Sequence, residues 1–308
     1  MKRILVLGGN GYIGSRLRQV LADNYSVDSI DAGWYIGYGG SSVMDYRDLT
    51  NEELSEYDVI ILLAGHGSVR SCIGDINGPW LNNVTNFSNL LEKLTDNQLL
   101  IYASSASVYG NSKHGQLHTE SNVNFTPVNN YDLTKYALDL TAQIEIQTGK
   151  NVIGLRFGTV NGWSPNLRVD VMINAMYHSA IQSGTITVTD RHIGRALLGI
   201  EDLSRAIMAC IEQPTTGIYN LASFNTTVDQ VSTTVANALS VNIVDNGNTD
   251  GVYDFVLDCS LFQETFDFKF QETTDTIVES LINGYEKSIT VRRDQYIKYN
   301  WEIYDRKC

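Results

Sequence analysis

Three glycines spaced three apart, Gly8, Gly11 and Gly14, separate an apolar run at residues 3–7 from a helical pattern at 12–21. No other feature constrains the fold as tightly. The run Arg3-Ile4-Leu5-Val6-Leu7 is apolar on both faces, as suits a central parallel strand covered by helices on both sides. After the turn, Ile13, Leu17, Val20 and Leu21 fall on one side of a helix. A glycine turn in this place lets backbone approach an anion. The helix that follows, opening at Tyr12 and Ile13, offers amide donors and the positive end of its dipole, the arrangement a pyrophosphate requires.

The pattern repeats. Further strands are expected at 25–30, 57–63, 98–103 and 151–157, with helices at 81–94 and 130–148. Strand, helix, strand at this spacing gives an α/β fold, a doubly wound parallel sheet of Rossmann type over residues 1–160. Residues 161–290 are less regular, with helices expected at 170–181, 200–211, 227–239 and 273–287 and short strands at 186–188 and 217–221. They read as a smaller α/β substrate-binding region, with later segments interleaved into the first domain. Residues 291–308 form a basic aromatic tail.

Acidic residues outnumber basic ones, 35 to 22, for a net charge of −13. That balance disfavours nucleic acid and anionic bilayers as partners. Cys72, Cys210, Cys259 and Cys308 are too scattered for a disulfide framework, and no Cys/His spacing suits a metal. The longest apolar run, residues 59–64, is strand length, so a cytoplasmic protein is expected.

Asp31 ends the second strand, 17 residues beyond Gly14. A carboxylate there accepts hydrogen bonds from both adenosine ribose hydroxyls and repels a 2′-phosphate, which favours NAD over NADP. Tyr131 and Lys135 are four apart on one helix and therefore stack on one face. A phenol with a reference pKa of about 10 needs roughly 4 kcal/mol of favourable electrostatics to ionise at pH 7. A lysine ammonium and an oxidised nicotinamide ring together supply it. Ser104, Ser105 and Ser107 follow the strand at 98–103, where doubly wound sheets place their ligands. A hydroxyl there either bonds a substrate oxygen or simply shapes the turn. No histidine–carboxylate relay or G-x-S-x-G elbow suggests a serine nucleophile.

The glycine loop, the Ser-Ser-Ala-Ser-Val-Tyr-Gly segment at 104–110 and the Tyr131/Lys135 pair, in this order, resemble the extended short-chain dehydrogenases/reductases. Within them the match is to the NAD-dependent epimerase/dehydratase branch acting on nucleotide sugars. The resemblance implies Ser105, Tyr131 and Lys135 as catalytic residues. It implies cofactor contacts at Gly8, Gly11, Tyr12, Ile13, Gly14, Asp31, Asp45, Tyr46, Leu63, Ala64 and Gly65, and from Tyr131 and Lys135 as well. It further implies substrate contacts at Ser68, Asn83, Ser105, Ser107 and Thr159, with Arg168 and Arg195 gripping a diphosphate. Where dehydratases of the branch carry an acidic pair after the catalytic hydroxyl, this chain has Ala106 and Ser107. Dehydration and decarboxylation are therefore disfavoured.

The expected activity is NAD-dependent epimerisation of a nucleoside diphosphate sugar through a transient 4-keto intermediate. The alternative is 4-ketoreduction of a nucleotide-linked 4-keto-6-deoxy sugar, and a non-catalytic dinucleotide-binding protein is a minor one. The resemblance also implies a homodimer paired through the helices at 81–94 and 130–148, with Leu138 and Ile146 as spare apolar positions.

Overall fold

The computed structural model describes residues 1–34, 39–110, 115–122, 125, 127–248 and 253–291. The tail expected at 291–308, with Cys308, lies outside the described residues apart from Val291.

Seven strands form the main sheet: β1 (Arg3–Leu7), β2 (Ser26–Asp31), β3 (Ser42–Val43), β4 (Val59–Leu62), β5 (Leu99–Ser105), β6 (Val152–Phe157) and β7 (Gly217–Leu221). Their order is β7-β6-β5-β4-β1-β2-β3, and every pairing is parallel. The chain runs outward from β1 in one direction through β2 and β3, then returns to β4 and runs outward in the other. That reversal opens a crevice beyond the carboxyl ends of β1 and β4. The strand at 217–221 is a later segment interleaved into the main sheet, as its edge beside β6.

Alternation along the buried strands builds two core layers. Ile4, Val6, Ile61 and Ile101 face α1 (Tyr12–Ala22) with its buried Leu17 and Leu21. Leu5, Leu7, Ile60 and Leu100 face α2 (Asn86–Lys93), through Phe87, Leu90 and Leu91, and α3 (Asn130–Gln147), through Leu138 and Ala142. The helix expected at 81–94 begins earlier, at Asn77, and passes through a π-helical turn, Leu81–Thr85, before α2. That wider turn buries Asn82 and Asn83 beneath the loop after β4.

The smaller region packs α4 (Met172–Ser183), α5 (Ile200–Glu212), α6 (Val228–Leu239) and α7 (Thr274–Gly284) around several short sheets. Its own core holds Ile173, Met176, Val231, Val235, Ile277 and Leu281. Helix α5 instead turns Leu203, Ile207 and Ile211 into the α1 layer. Among the described residues no helix is long and apolar enough to cross a membrane, and no cluster of three or more His, Cys, Asp or Glu side chains could hold a metal.

The two-chambered cleft and candidate active site

The glycine loop has the shape its sequence demanded. Gly8 takes φ +91°, and a Cβ there would lie 2.7 Å from the Ala64 amide nitrogen. Only glycine allows β1 to end so close to the loop after β4. At Gly14 a Cβ would lie 2.2 Å from the Gly8 carbonyl oxygen, so α1 can pack down on the turn only if that side chain is missing. Gly11 caps α1 with no side-chain hydrogen bond, and no acidic residue stands in the first helical turn. The amide end of α1 is left for a ligand.

Two chambers meet over this turn. The larger, about 310 Å³, is lined by Tyr12, Ile13, Gly14, Ser105, Ser107, Tyr131 and Lys135 among others. The smaller, about 70 Å³, holds Asp31, Trp34, Asp45 and Tyr46. Gly8, Gly11, Leu63, Ala64 and Gly65 line both. A two-lobed anion bridging the amide end of α1 fits this cleft.

In the smaller chamber Asp31 is buried. It accepts hydrogen bonds from the Asn10 amide (Oδ2, 2.9 Å) and the Gly33 amide (Oδ1, 2.9 Å). Burial pushes its pKa up, while those two amides and the charge of Arg18 pull it down. Arg18 reaches this neighbourhood from α1 and donates to the Gly9 carbonyl at 2.8 Å. Residues 32–34, Ala-Gly-Trp, bring no cation of their own, so this one comes from α1.

In the larger chamber α3 supplies Tyr131 and Lys135. Its N-cap, Asn129, accepts from the Asp132 amide and so fixes the first turn on which Tyr131 stands. Lys135 donates to the Ala103 carbonyl at 2.8 Å, and its Nζ lies 6.0 Å from the centre of the Tyr131 ring. Burial presses the Lys135 ammonium down to about 8, with the Asp139 carboxylate one turn further on opposing the fall. Ser105 caps the short turn Ala106–Tyr109, its Oγ accepting from the Ser107 amide at 3.2 Å. The neighbouring Ser104 hydroxyl lines the same chamber, buried and without a hydrogen-bond partner.

Of the expected substrate contacts, Ser68, Ser105, Ser107, Thr159 and Arg168 line the chamber. Arg168 is held in an ion pair with Asp170 (2.6 Å) and also reaches the Gly67 carbonyl at 3.4 Å. Two expected contacts are placed elsewhere. Asn83 is 2% exposed, and its amide is fully engaged behind the wall. It accepts from the His66 amide (2.9 Å) and donates to the His66 carbonyl and to Thr134 Oγ1. Arg195 stands on the strand Gly194–Gly199, outside the residues lining the chamber, and burial lowers its pKa against the pull of Asp254 and Asp190.

The fold also brings in residues that the sequence did not single out. Asn166 lines the chamber and donates to the Asn10 carbonyl, strapping the segment after Gly162 across the glycine loop. Tyr253 and Phe255 form an aromatic wall, with ring centres 5.9 Å apart. The Tyr253 hydroxyl donates to the fully buried Asp132 carboxylate (2.7 Å) and accepts from the Asn129 amide nitrogen (2.6 Å). The smaller region is thereby clasped to the turn that carries Tyr131. No local pattern marks Tyr253, since its partners lie more than 120 residues away in sequence.

Comparison with known proteins bears on this arrangement. The sequence model of the NAD dependent epimerase/dehydratase family matches residues 4–222. The ADP-L-glycero-D-manno-heptose-6-epimerase of Pseudomonas aeruginosa is 27% identical over 265 residues, covering 78% of this chain and 79% of its own. Among solved structures, the NAD-dependent NDP-hexosamine 5,6-dehydratase TunA superposes with a TM-score of 0.82 at 20% identity, covering 94% of this chain and 99% of that one. The UDP-glucuronic acid 4-epimerase from Bacillus cereus, solved with UDP-glucuronic acid and NAD, gives 0.80 at 19% identity, covering 92% and 99%. At these identities the structural likeness speaks for the fold.

Proposed function

The chain belongs to the NAD dependent epimerase/dehydratase family, and from that premise we propose that it is an NAD-dependent epimerase of a nucleoside diphosphate sugar, working through a transient 4-keto sugar. One observation carries the reading. Ser105, Tyr131 and Lys135 line a single chamber beyond the amide end of α1, while Ala106 and Ser107 stand where elimination of water would need an acid and a base. This equipment suits moving a hydride and one proton.

The cleft suits the cofactor. Gly8, Gly11 and the first turn of α1 would hold its pyrophosphate, and Asp31 its adenosine ribose. When bound, NAD supplies a reversible hydride acceptor at its nicotinamide ring. Tyr131, ionised, takes the proton from the sugar 4-hydroxyl, and Ser105 donates a hydrogen bond to the same oxygen as it becomes a carbonyl. Lys135 stabilises the phenolate. Once the flat keto sugar has turned over, Tyr131 returns the proton to that oxygen on the opposite configuration. Arg168, on the chamber wall, would meet the diphosphate.

We also assign a homodimer to the chain. Leu138 is core and Ile146 packs against it, so neither is spare for a partner. Exposed Leu133, Leu140 and Ile144, at intervals of seven and four along α3, instead give the apolar stripe that a partner helix covers.

The test is incubation of the purified protein with UDP-, dTDP- and ADP-hexoses without added cofactor, followed by separation of epimers. Interconversion is expected, and Tyr131→Phe should lower it by about 100-fold or more. Consumption of added NADH only with a 4-keto sugar, and no interconversion, would replace epimerisation by reduction.

A further inference from the structure

The loop after β4 carries a histidine to which the reaction assigns no task. His66 lines the larger chamber beside the glycine turn. Its backbone is gripped on both sides by the Asn83 amide. Its ring is held as well. The Asn86 amide nitrogen donates to Asn82 Oδ1 (3.3 Å), which turns the Asn82 amide nitrogen toward His66 Nδ1, at 3.1 Å. An imidazole nitrogen that accepts a hydrogen bond carries no proton, so in the neutral ring the proton is on Nε2. Among the described residues Nε2 has no hydrogen-bond partner, and it is not one of their sealed, unpartnered polar atoms.

The remaining neighbours keep the ring uncharged. Trp34 meets it edge to face at 5.5 Å. Burial presses its pKa down to about 4; the Lys135 ammonium adds to the fall and the Asp75 carboxylate opposes it. The π turn Leu81–Thr85 is the device behind this, because it presents Asn82 to the ring and Asn83 to the backbone of the same residue. Asn82 and Trp34 also line the adenosine-side chamber, which puts His66 at the junction of the two.

We infer that His66 is a neutral hydrogen-bond donor to an oxygen of the bound dinucleotide, with its proton fixed on Nε2 by Asn82. The inference rests on the NAD reading above. It makes the contact independent of pH, and dependent on an asparagine rather than an aspartate at position 82.

Nucleotide-stripped full-length protein titrated with NAD, with binding read by calorimetry at pH 5.5 and 7.5, tests this directly. His66→Phe removes the donor and should weaken NAD about tenfold at both pH values, the loss of one unreplaced hydrogen bond. Asn82→Asp should behave differently. A carboxylate at that position draws the proton onto Nδ1 and raises the ring pKa. At pH 5.5 the imidazolium still donates from Nε2, so binding should match the wild type. At pH 7.5 the neutral ring keeps its proton on Nδ1 and turns a lone pair to the ligand, so binding should be about tenfold weaker. Circular dichroism of each variant confirms folding. Unchanged NAD affinity in His66→Phe, or an Asn82→Asp to wild-type ratio that is the same at both pH values, overturns the inference while leaving the cofactor reading intact. Absence of NAD binding by the wild type overturns both.

Discussion

The lysine proposed to support the Tyr131 phenolate is buried enough for its own proton to be at risk. Burial lowers Lys135 to about 8, so its cation is present below that pH and is lost as pH rises through it. We therefore expect kcat/KM to fall on an alkaline limb near pH 8, and a profile flat to pH 9.5 would refute it. Glu272 shows a second consequence of burial. Its carboxylate accepts from the Glu201 and Asp202 amides at the start of α5 (2.9 Å each), beside the Asp202 carboxylate. Burial foremost raises its pKa from 4.5 to about 7. The folded state thus holds this proton more tightly than the unfolded one, and stability falls as pH rises from about 4.5 through about 7. The loss is on the order of 3 kcal/mol at most. Glu272→Gln should remove that slope, so chemical denaturation at pH 5 and pH 8 should show a smaller difference than in the wild type. The glycine turn at 8–14, Asp31 and the Tyr131/Lys135 pair were legible in sequence because each is tied to a local turn or spacing, whereas Ser105 was singled out from its neighbours by the family resemblance alone. Glu272 was not legible, because its burial comes from packing against a helix end 70 residues away.

At the scale of single elements, spacing located the helices better than it located their faces. Helix α3 is the instructive case. Helical spacing puts Leu133, Ala137, Leu140 and Ile144 on one apolar face, yet Leu133, Leu140 and Ile144 are exposed. The buried side holds Asp132, Thr134, Lys135, Leu138, Asp139 and Ala142. It is polar because it carries the site and, beneath it, a buried network in which Asp139 accepts from Arg156 (2.8 Å) and Tyr102 (2.9 Å). A periodicity argument assigns polar side chains to water, and it fails where they satisfy one another in the interior. The turn from β1 to α1 follows the opposite rule, since its glycines are dictated by backbone contact alone. Gly14→Ala would drive a Cβ to 2.2 Å from the Gly8 carbonyl oxygen, whereas Gly39→Ala meets nothing within 4 Å. The first should cost several kcal/mol, on the order of ~2–4, and abolish NAD binding. The second should stay within about 0.5 kcal/mol. Equal melting temperatures for the two would refute the packing argument.

For the whole molecule, the exposed stripe on α3 makes assembly testable. Ile144→Glu should convert the proposed dimer to a monomer by light scattering at micromolar concentration, and a wild-type chain that is already monomeric would remove the proposal. By itself the sequence determined the doubly wound sheet, the glycine turn and the placing of Tyr131 and Lys135 one helical turn apart. Those depend on backbone sterics and on side chains within one or two turns of each other, where chain connectivity fixes the geometry. Only the tertiary structure decided which polar groups face the cleft. It put Asn83 behind the wall, left Arg195 outside the residues that line the chamber, and brought Tyr253 onto Asp132 from across the chain. Such choices are set by which distant partner satisfies a buried hydrogen-bonding group, and local spacing carries no information about a partner that arrives from another part of the chain.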